Sequence, residues 1–278
     1  MPQSDGWSRE QLLIALKLYC EIPFGKMHSR NPEIIRYAKL IHRTPGSLAM
    51  KLTNFASLDP AIVSTGRKGL TKASKADKEI WSETTSDWGH IAAEIDQTVR
   101  RLAPTAAEQK VPDPPEADAD YSGLTKTALI EARVGQRFFR QAVLSAYDFK
   151  CCVTGLAAQE LLVASHIVPW RADPSNRLNP RNGLCLSALH DRAFDQGLIA
   201  ISESFHLLLS PRISKIKPNR YIDDAFLAYA DKLMYREFPR LCRGGSRSLT
   251  FPGVHPEPQR GEPPRTHQGE AVWTSMKA

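Results

Sequence analysis

Two aspartates and a histidine in this sequence have side chains that could bind a divalent cation and accept a proton. Asp191 and Asp195 are four residues apart, the spacing at which two side chains share one face of a helix, so both carboxylates can point at one cation. Paired carboxylates suit a hard divalent ion such as Mg²⁺ or Mn²⁺. His166 ends an apolar run, and an imidazole with an unperturbed pKa of about 6.5 is largely neutral at working pH. A neutral imidazole can accept a proton from a nucleophile.

The residues around these side chains predict two strands and a helix. Residues 161–164 are a short apolar run, typical of a buried strand, that leads to His166. Asn182-Gly183 predicts a turn into a second apolar strand over residues 184–186. A short helix is predicted over residues 188–194. The order of these elements is that of a ββα unit.

Four spaced motifs in this part of the chain resemble the bacterial HNH endonucleases that are often found in restriction and defence proteins. They are CCVTG at 151–155, ASHIVPW at 164–170, RLNPRNGL at 177–184 and FDQG at 194–197. The resemblance covers roughly residues 125–230. It implies a ββα-metal nuclease domain that hydrolyses DNA with one divalent cation, Mg²⁺ or Mn²⁺.

The resemblance assigns roles to individual residues. His166 matches the general base, and Asn182 matches the asparagine whose side chain braces the loop that orients this base. The last metal ligand of the family lies nine positions after that asparagine, at Asp191, and many members add a ligand one turn later, at Asp195. By residue type the final ligand could instead be His190. Adjacent helix positions point about 100° apart, so we expect only one of the two to face the metal, and the spacing favours Asp191.

The sequence departs from the family pattern at Ser165. The family often has a metal-ligating Asp or His immediately before the base, and a serine is a poor ligand. We expect water or another carboxylate to replace it. Cys151, Cys152 and Cys185 do not form the two Cys-x-x-Cys pairs of a structural zinc site, so we predict no structural zinc.

Several basic residues could contact nucleic acid. The net charge is +7, and this sign suits a polyanionic partner, although an ordinary basic surface would give the same total. Near the predicted site the candidates for phosphate contact are Arg171, Arg177, Arg181 and Arg192. Farther from the site, Arg67 and Lys68 lie in a basic loop. Any of these residues could equally be a solvated surface charge.

The composition divides the chain into four parts. Residues 1–102 predict a helical domain in which a Pro-Gly turn at 44–46 joins two helices, an arrangement typical of a helix-turn-helix. Its surface could bind DNA or a partner protein, or the domain could be a plain helical bundle. Residues 103–122 predict a Pro-rich acidic linker, 123–240 the nuclease domain and 241–278 a disordered tail. The fold class is therefore α+β.

The predicted function is a metal-dependent DNA endonuclease that restricts foreign DNA, with double-stranded DNA as partner. One ββα site cuts one strand per event, so a homodimer is the simplest route to double-strand cleavage. The alternatives are a nuclease effector subunit of a multi-protein defence complex and a DNA-binding regulator with a decayed nuclease site. The chain has no signal-peptide pattern and no apolar run that could span a bilayer, so a cytoplasmic location is expected.

Overall fold

The computed structural model describes residues 6–63, 73–103, 126–170, 172–202, 205–217 and 219–234. Arg67, Lys68 and Arg171 lie outside these ranges, as do the predicted tail and all but the first residue of the predicted linker. The described residues form helices and two small antiparallel sheets, which confirms a mixed helix-and-sheet fold. No helix within these ranges is long and apolar enough to cross a bilayer.

The described residues before position 104 are mainly helical. The helices are α1 (Arg9–Glu21), α2 (Pro32–Leu40), α3 (Pro45–Leu58), α4 (Pro60–Val63), α5 (Lys75–Ser86) and α6 (Trp88–Leu102). Side-chain caps fix where they begin. Ser8 and Gln11 form a capping box at the start of α1, and the Thr44 hydroxyl accepts the Ser47 N–H at the start of α3. Between α2 and α3 the chain turns tightly, with His42 at a φ of 54°.

Helix α1 lies at the centre of this helical part and packs against α3 and α6. Leu16 of α1 is fully buried, and Tyr19 forms an aromatic cluster with Phe55 of α3 and Trp81 of α5. The apolar faces of these helices therefore pack together to form one hydrophobic core.

Helix α7 (Lys126–Ala146) connects this core to a second one. Phe138 and Ala142 pack into the core that contains α1 and α6, whereas Phe139 and Val143 pack into the core around the strands. Adjacent residues on a helix point about 100° apart, so one helix can serve both cores. Helix α7 therefore contributes side chains to both hydrophobic cores.

The predicted ββα unit follows α7. Strand β1 (Leu162–His166) pairs antiparallel with β2 (Gly183–Ser187), so that His166 lies opposite Gly183. Helix α8 (Ala188–Asp195) begins directly after β2, and Ser187 is its N-cap. A second hairpin, β3 (Ile199–Ile201) with β4 (Leu207–Leu209), was not predicted and comes next. The short helices α9 (Pro211–Ser214) and α10 (Arg220–Ala225) follow. A 3-10 helix (Leu227–Tyr229) and a β-bridge between His206 and Leu233 come last in the described chain.

Candidate active site

His166, the predicted base, is held by one hydrogen bond and two aromatic contacts. Its Nε2 lies 2.9 Å from the carbonyl oxygen of Arg177. The imidazole is stacked on Phe139 of α7, with ring centroids 4.2 Å apart and planes at 4°, and it meets Trp170 edge-on at 5.5 Å. These three neighbours fix the position and the rotation of the ring.

The hydrogen bond to Arg177 also fixes the tautomer of the neutral ring. A carbonyl oxygen can only accept, so Nε2 carries the hydrogen and donates it. The lone pair is therefore on Nδ1. Burial lowers the pKa of His166, and the bond to the Arg177 carbonyl opposes this shift in part. The imidazole is neutral at pH 7 and has a basic nitrogen available, as proton abstraction requires.

Asn182 joins the two ends of the long loop between β1 and β2. Its Oδ1 accepts the Val168 N–H at 2.7 Å, and its Nδ2 donates to the Val168 carbonyl at 3.0 Å. The side chain is buried, so both bonds are shielded from water. Asn182 therefore pins the chain two residues after His166, which is the geometry that its predicted bracing role requires.

Arg177 also holds this loop together. Its Nε donates to the Trp170 carbonyl at 2.6 Å, and its guanidinium lies 5.2 Å from the centre of the Trp170 ring. Trp170 and Arg177 thus contact each other through the backbone and through their side chains, and each of them contacts His166. The sequence interpretation treated Arg177 as a phosphate ligand and missed this contribution to the geometry of the base, which comes from a backbone carbonyl.

Helix α8 carries the predicted metal ligands. It extends from Ala188 to Asp195, so Asp191 in its first turn and Asp195 at its end are both at helical positions, one turn apart. Asp191 is half-buried and Asp195 is exposed. Among the described residues, no group of three or more His, Cys, Asp or Glu side chains is placed to hold a metal ion. Asp191 and Asp195 therefore stay predicted ligands, with two carboxylates to offer on α8.

His190 has a different environment from the aspartate beside it. Its Nδ1 lies 2.8 Å from the Ser187 hydroxyl and its Nε2 lies 2.9 Å from the Ala225 carbonyl. The ring is buried against Phe226 and Tyr229. Both nitrogens are engaged by protein groups, which leaves none for a cation. We therefore retain Asp191 rather than His190 as the proposed ligand.

Ser165, where the family often has a ligand, is a buried residue of β1. Its Oγ has no hydrogen-bond partner among the described residues. An unsatisfied hydroxyl in a buried position is unusual, because most buried polar groups in proteins have a hydrogen-bond partner.

The predicted phosphate-contacting arginines lie in different places. Arg192 is exposed on α8. Arg181 is mostly buried, and its Nη2 lies 4.0 Å from Oδ1 of Asp59, a fully buried residue of the helical part. Arg181 therefore faces the helical part of the chain. Arg67, Lys68 and Arg171 lie outside the described residues.

Residues 151–202 match the HNH_2 family model, which is described as HNH endonuclease. Residues 151–202 are an HNH endonuclease domain. No curated protein matches the chain. The matched residues contain β1, β2, α8 and β3, with His166, Asn182, Asp191 and Asp195 among them.

Residues outside the HNH match complete its site. Phe139, on which His166 is stacked, belongs to α7 and precedes the matched residues. The sequence indicated only an apolar helix position there, because periodicity predicts which face is buried and does not predict the partner. Ala225, whose carbonyl holds His190, follows the match. The HNH domain thus depends on segments from both sides.

Proposed function

We propose that this protein is a metal-dependent DNA endonuclease in which His166 is the general base. The observation that carries the proposal is the geometry of His166 within an HNH domain. The ring is neutral, has its basic Nδ1 available and is held by the Arg177 carbonyl and by Phe139. A neutral imidazole held in one orientation is suited to remove a proton from a water molecule.

His166 takes a proton at Nδ1 from the water that attacks the scissile phosphate. The charge that forms on the ring is stabilised by the Arg177 carbonyl, which continues to accept from Nε2. Asn182 holds the loop that supplies this carbonyl and so limits the motion of the base. The expected products carry 5′-phosphate and 3′-hydroxyl ends.

A hard divalent cation fits the donor set on α8. Mg²⁺ is usually bound by one or two carboxylates, while water and substrate phosphate supply its other ligands. Asp191 and Asp195 offer two carboxylates one turn apart on α8. When bound, Mg²⁺ or Mn²⁺ supplies Lewis-acid stabilisation of the leaving 3′ oxygen.

The test is cleavage of supercoiled plasmid by the full chain with Mg²⁺, Mn²⁺ or EDTA. We expect nicking or linearisation with a divalent ion and none with EDTA, and 5′-phosphate ends on the products. The double variant Asp191→Asn/Asp195→Asn should lose cleavage. A matched control, Asp223→Asn/Asp224→Asn, changes two exposed carboxylates on α10 and should retain it. Intact plasmid with every metal, whether the DNA is methylated or not, would contradict the proposal.

Restriction of foreign DNA is the biological role that we propose for this activity, by analogy with the proteins in which similar domains occur. Cells that express the wild-type chain should then resist phage infection or plasmid transformation, whereas cells that express His166→Ala should not. Equal plating efficiency for the two strains would contradict this role.

A second candidate is a nuclease effector whose helical part binds a protein. Two features of α2 and α3 favour it. Lys51 is the one charged residue of α3, and it is buried in an ion pair with Asp77, so α3 offers no exposed cation to phosphate. Ile35 and Met50 are 46% and 59% exposed. The DNA affinity of the variant Ile35→Glu/Met50→Glu separates the two candidates. A large loss of affinity indicates that DNA contacts the surface around these two residues. Unchanged affinity favours contact with a protein.

A further inference from the structure

Leu178 lies in the loop between β1 and β2 and contacts both hydrophobic cores. It is half-buried, and it packs against the core around α1 and α6 as well as the core around the strands. The residue thus anchors the loop of the HNH domain on the helical part of the chain.

The Leu178 side chain packs into the space beside two glycines, one on α6 and one on α7, and we call this space the seat of Leu178. A Cβ atom on Gly135 of α7 would lie closer than 3.0 Å to Leu178 Cδ1, and one on Gly89 of α6 would lie 3.3 Å from the same atom. The leucine therefore occupies space that a side chain at Gly135 would require. This close approach of a loop residue to two helices leaves the side chain little freedom to move.

The seat of Leu178 fixes the carbonyl that holds the base. The Arg177 carbonyl and the Leu178 Cα atom belong to the same peptide group, which is planar. Anchoring Leu178 therefore restricts where the Arg177 oxygen points. That oxygen accepts the hydrogen bond from His166 Nε2. This path from α6 and α7 to the imidazole consists of one side chain, one peptide plane and one hydrogen bond, and it exists beside the direct stacking of Phe139 of α7 on the ring.

A second contact between the loop and the helical part lies three residues away. Arg181 approaches Asp59, whose other carboxylate oxygen accepts the Tyr19 hydroxyl of α1 at 2.6 Å. Asp59 is fully buried, so this charge is held in a fixed place. The loop is therefore tied to the helical part at two points that flank residues 179–180.

We propose that Leu178 is a positioning residue for the general base, and that α6 and α7 set the orientation of His166 through it. This inference rests on the proposed role of His166. It gives the helical part of the chain a function in catalysis apart from any contact with DNA or a partner.

The experiment combines two readouts on the full chain. The ¹⁵N chemical shifts of the His166 ring report its tautomer without any need for activity, and plasmid nicking gives kcat and KM. Leu178→Ala empties the seat, whereas Leu178→Met refills it with a side chain of similar volume. Gly135→Ala pushes on Leu178 from α7 and removes no atoms, and alanine favours the helix. Leu209→Ala on β4 is the control for loss of a partly buried leucine from the core around the strands.

We expect wild type to show a single Nε2–H tautomer. Leu178→Ala and Gly135→Ala should mix the tautomers and lower kcat by roughly 10- to 100-fold with little change in KM, since a displaced base costs rate rather than binding. Leu178→Met should recover most of the rate, and Leu209→Ala should keep both the tautomer and kcat.

A single tautomer in folded Leu178→Ala and in Gly135→Ala would overturn the inference, whatever the cleavage rates. A different result would contradict the proposed function. The wild type would then not cut DNA, although the tautomer would still change in the Leu178 variants. In that case the positioning of His166 by α6 and α7 is supported, whereas a role of this positioning in catalysis is contradicted.

Discussion

His166 and Phe139 lie face to face, with ring centroids 4.2 Å apart and planes at 4° to each other. The imidazole comes from β1 and the phenyl ring from α7. Phe139 is fully buried, so it covers this face of the imidazole and keeps water from it. Removal of water is what lowers the pKa of His166, because the charged form loses hydration on burial.

Phe139→Leu should therefore raise the pKa of His166 towards about 6.5 and lower kcat by roughly tenfold. The matched control is Phe138→Leu, since this neighbour on α7 packs against Trp88 in the other core. Both substitutions should lower the free energy of unfolding by about 0.5–3 kcal/mol. NMR titration of the ring and urea unfolding check the pair. An equal effect of the two variants on His166 would contradict the stacking account.

The pH dependence of cleavage should follow the lowered pKa of His166. The neutral ring is the active form, so kcat is constant at higher pH and falls as the pH drops through that pKa. We expect the midpoint of this limb below about 6.5, and the NMR pKa of His166 should agree with it. A midpoint clearly above 6.5 would mean that another group is the base or that the ring is not desolvated.

The buried histidines should also make the fold sensitive to acid. The pKa of His190 is lowered by burial, with an opposing contribution from its bond to the Ala225 carbonyl. A group with a lowered pKa in the folded state contributes stability above its unfolded pKa of about 6.5, and this stability is lost as the pH falls through the folded value. His190→Ala should lower the free energy of unfolding by about 1–3 kcal/mol at pH 7, because Ser187 and Ala225 lose a buried partner.

The same His190 variant separates a structural role from a metal-binding one. Folded His190→Ala should bind Mn²⁺ as tightly as wild type, whereas Asp191→Asn should bind it more weakly. Isothermal titration with Mn²⁺ at a temperature where both variants are folded gives the answer. Loss of Mn²⁺ affinity in His190→Ala with retention in Asp191→Asn would reverse our choice between these neighbours.

Gly183 permits the close approach of β2 to α7. A Cβ atom at this position would lie closer than 3.0 Å to Val143 Cγ2 and 3.0 Å from Phe139 Cζ. Gly183→Ala should therefore lower the free energy of unfolding by about 1–3 kcal/mol. The double variant Gly183→Ala/Val143→Ala should be less destabilised than the sum of its single variants, since the smaller residue makes room. Simple additivity in urea unfolding would show that the strain lies elsewhere.

The local part of the site was predictable from the sequence. The apolar run that ends at His166, the Asn-Gly turn and the helix after it are local patterns, and they correspond to β1, β2 and α8 within two residues. The family model confirms the HNH assignment that the spaced motifs suggested. The roles of His166, Asn182, Asp191 and Asp195 stay predictions, although the geometry of His166 and Asn182 suits them.

The remainder of the site depends on contacts between distant segments. Nothing in the sequence pairs Phe139 with His166, since an apolar helix position has the same appearance whatever covers it. The Arg177 carbonyl is a backbone group, so the type of residue at this position does not predict its hydrogen bond to His166. His190 was a candidate ligand because its partner at Ala225 is 35 residues away and could not be foreseen. The β3–β4 hairpin has three-residue strands, which are too short for their alternation to be recognised.

The most direct test of the central claim is plasmid nicking by His166→Ala beside His28→Ala, with Mg²⁺ or Mn²⁺ present. His28 is exposed in the helical part of the chain, so its loss controls for the removal of an imidazole. A positioned base contributes about 10²–10⁴-fold, and we predict that His166→Ala loses activity by at least the lower figure while His28→Ala cuts as wild type does. Equal rates for His166→Ala and wild type would contradict the account, because His166 would then not be the base.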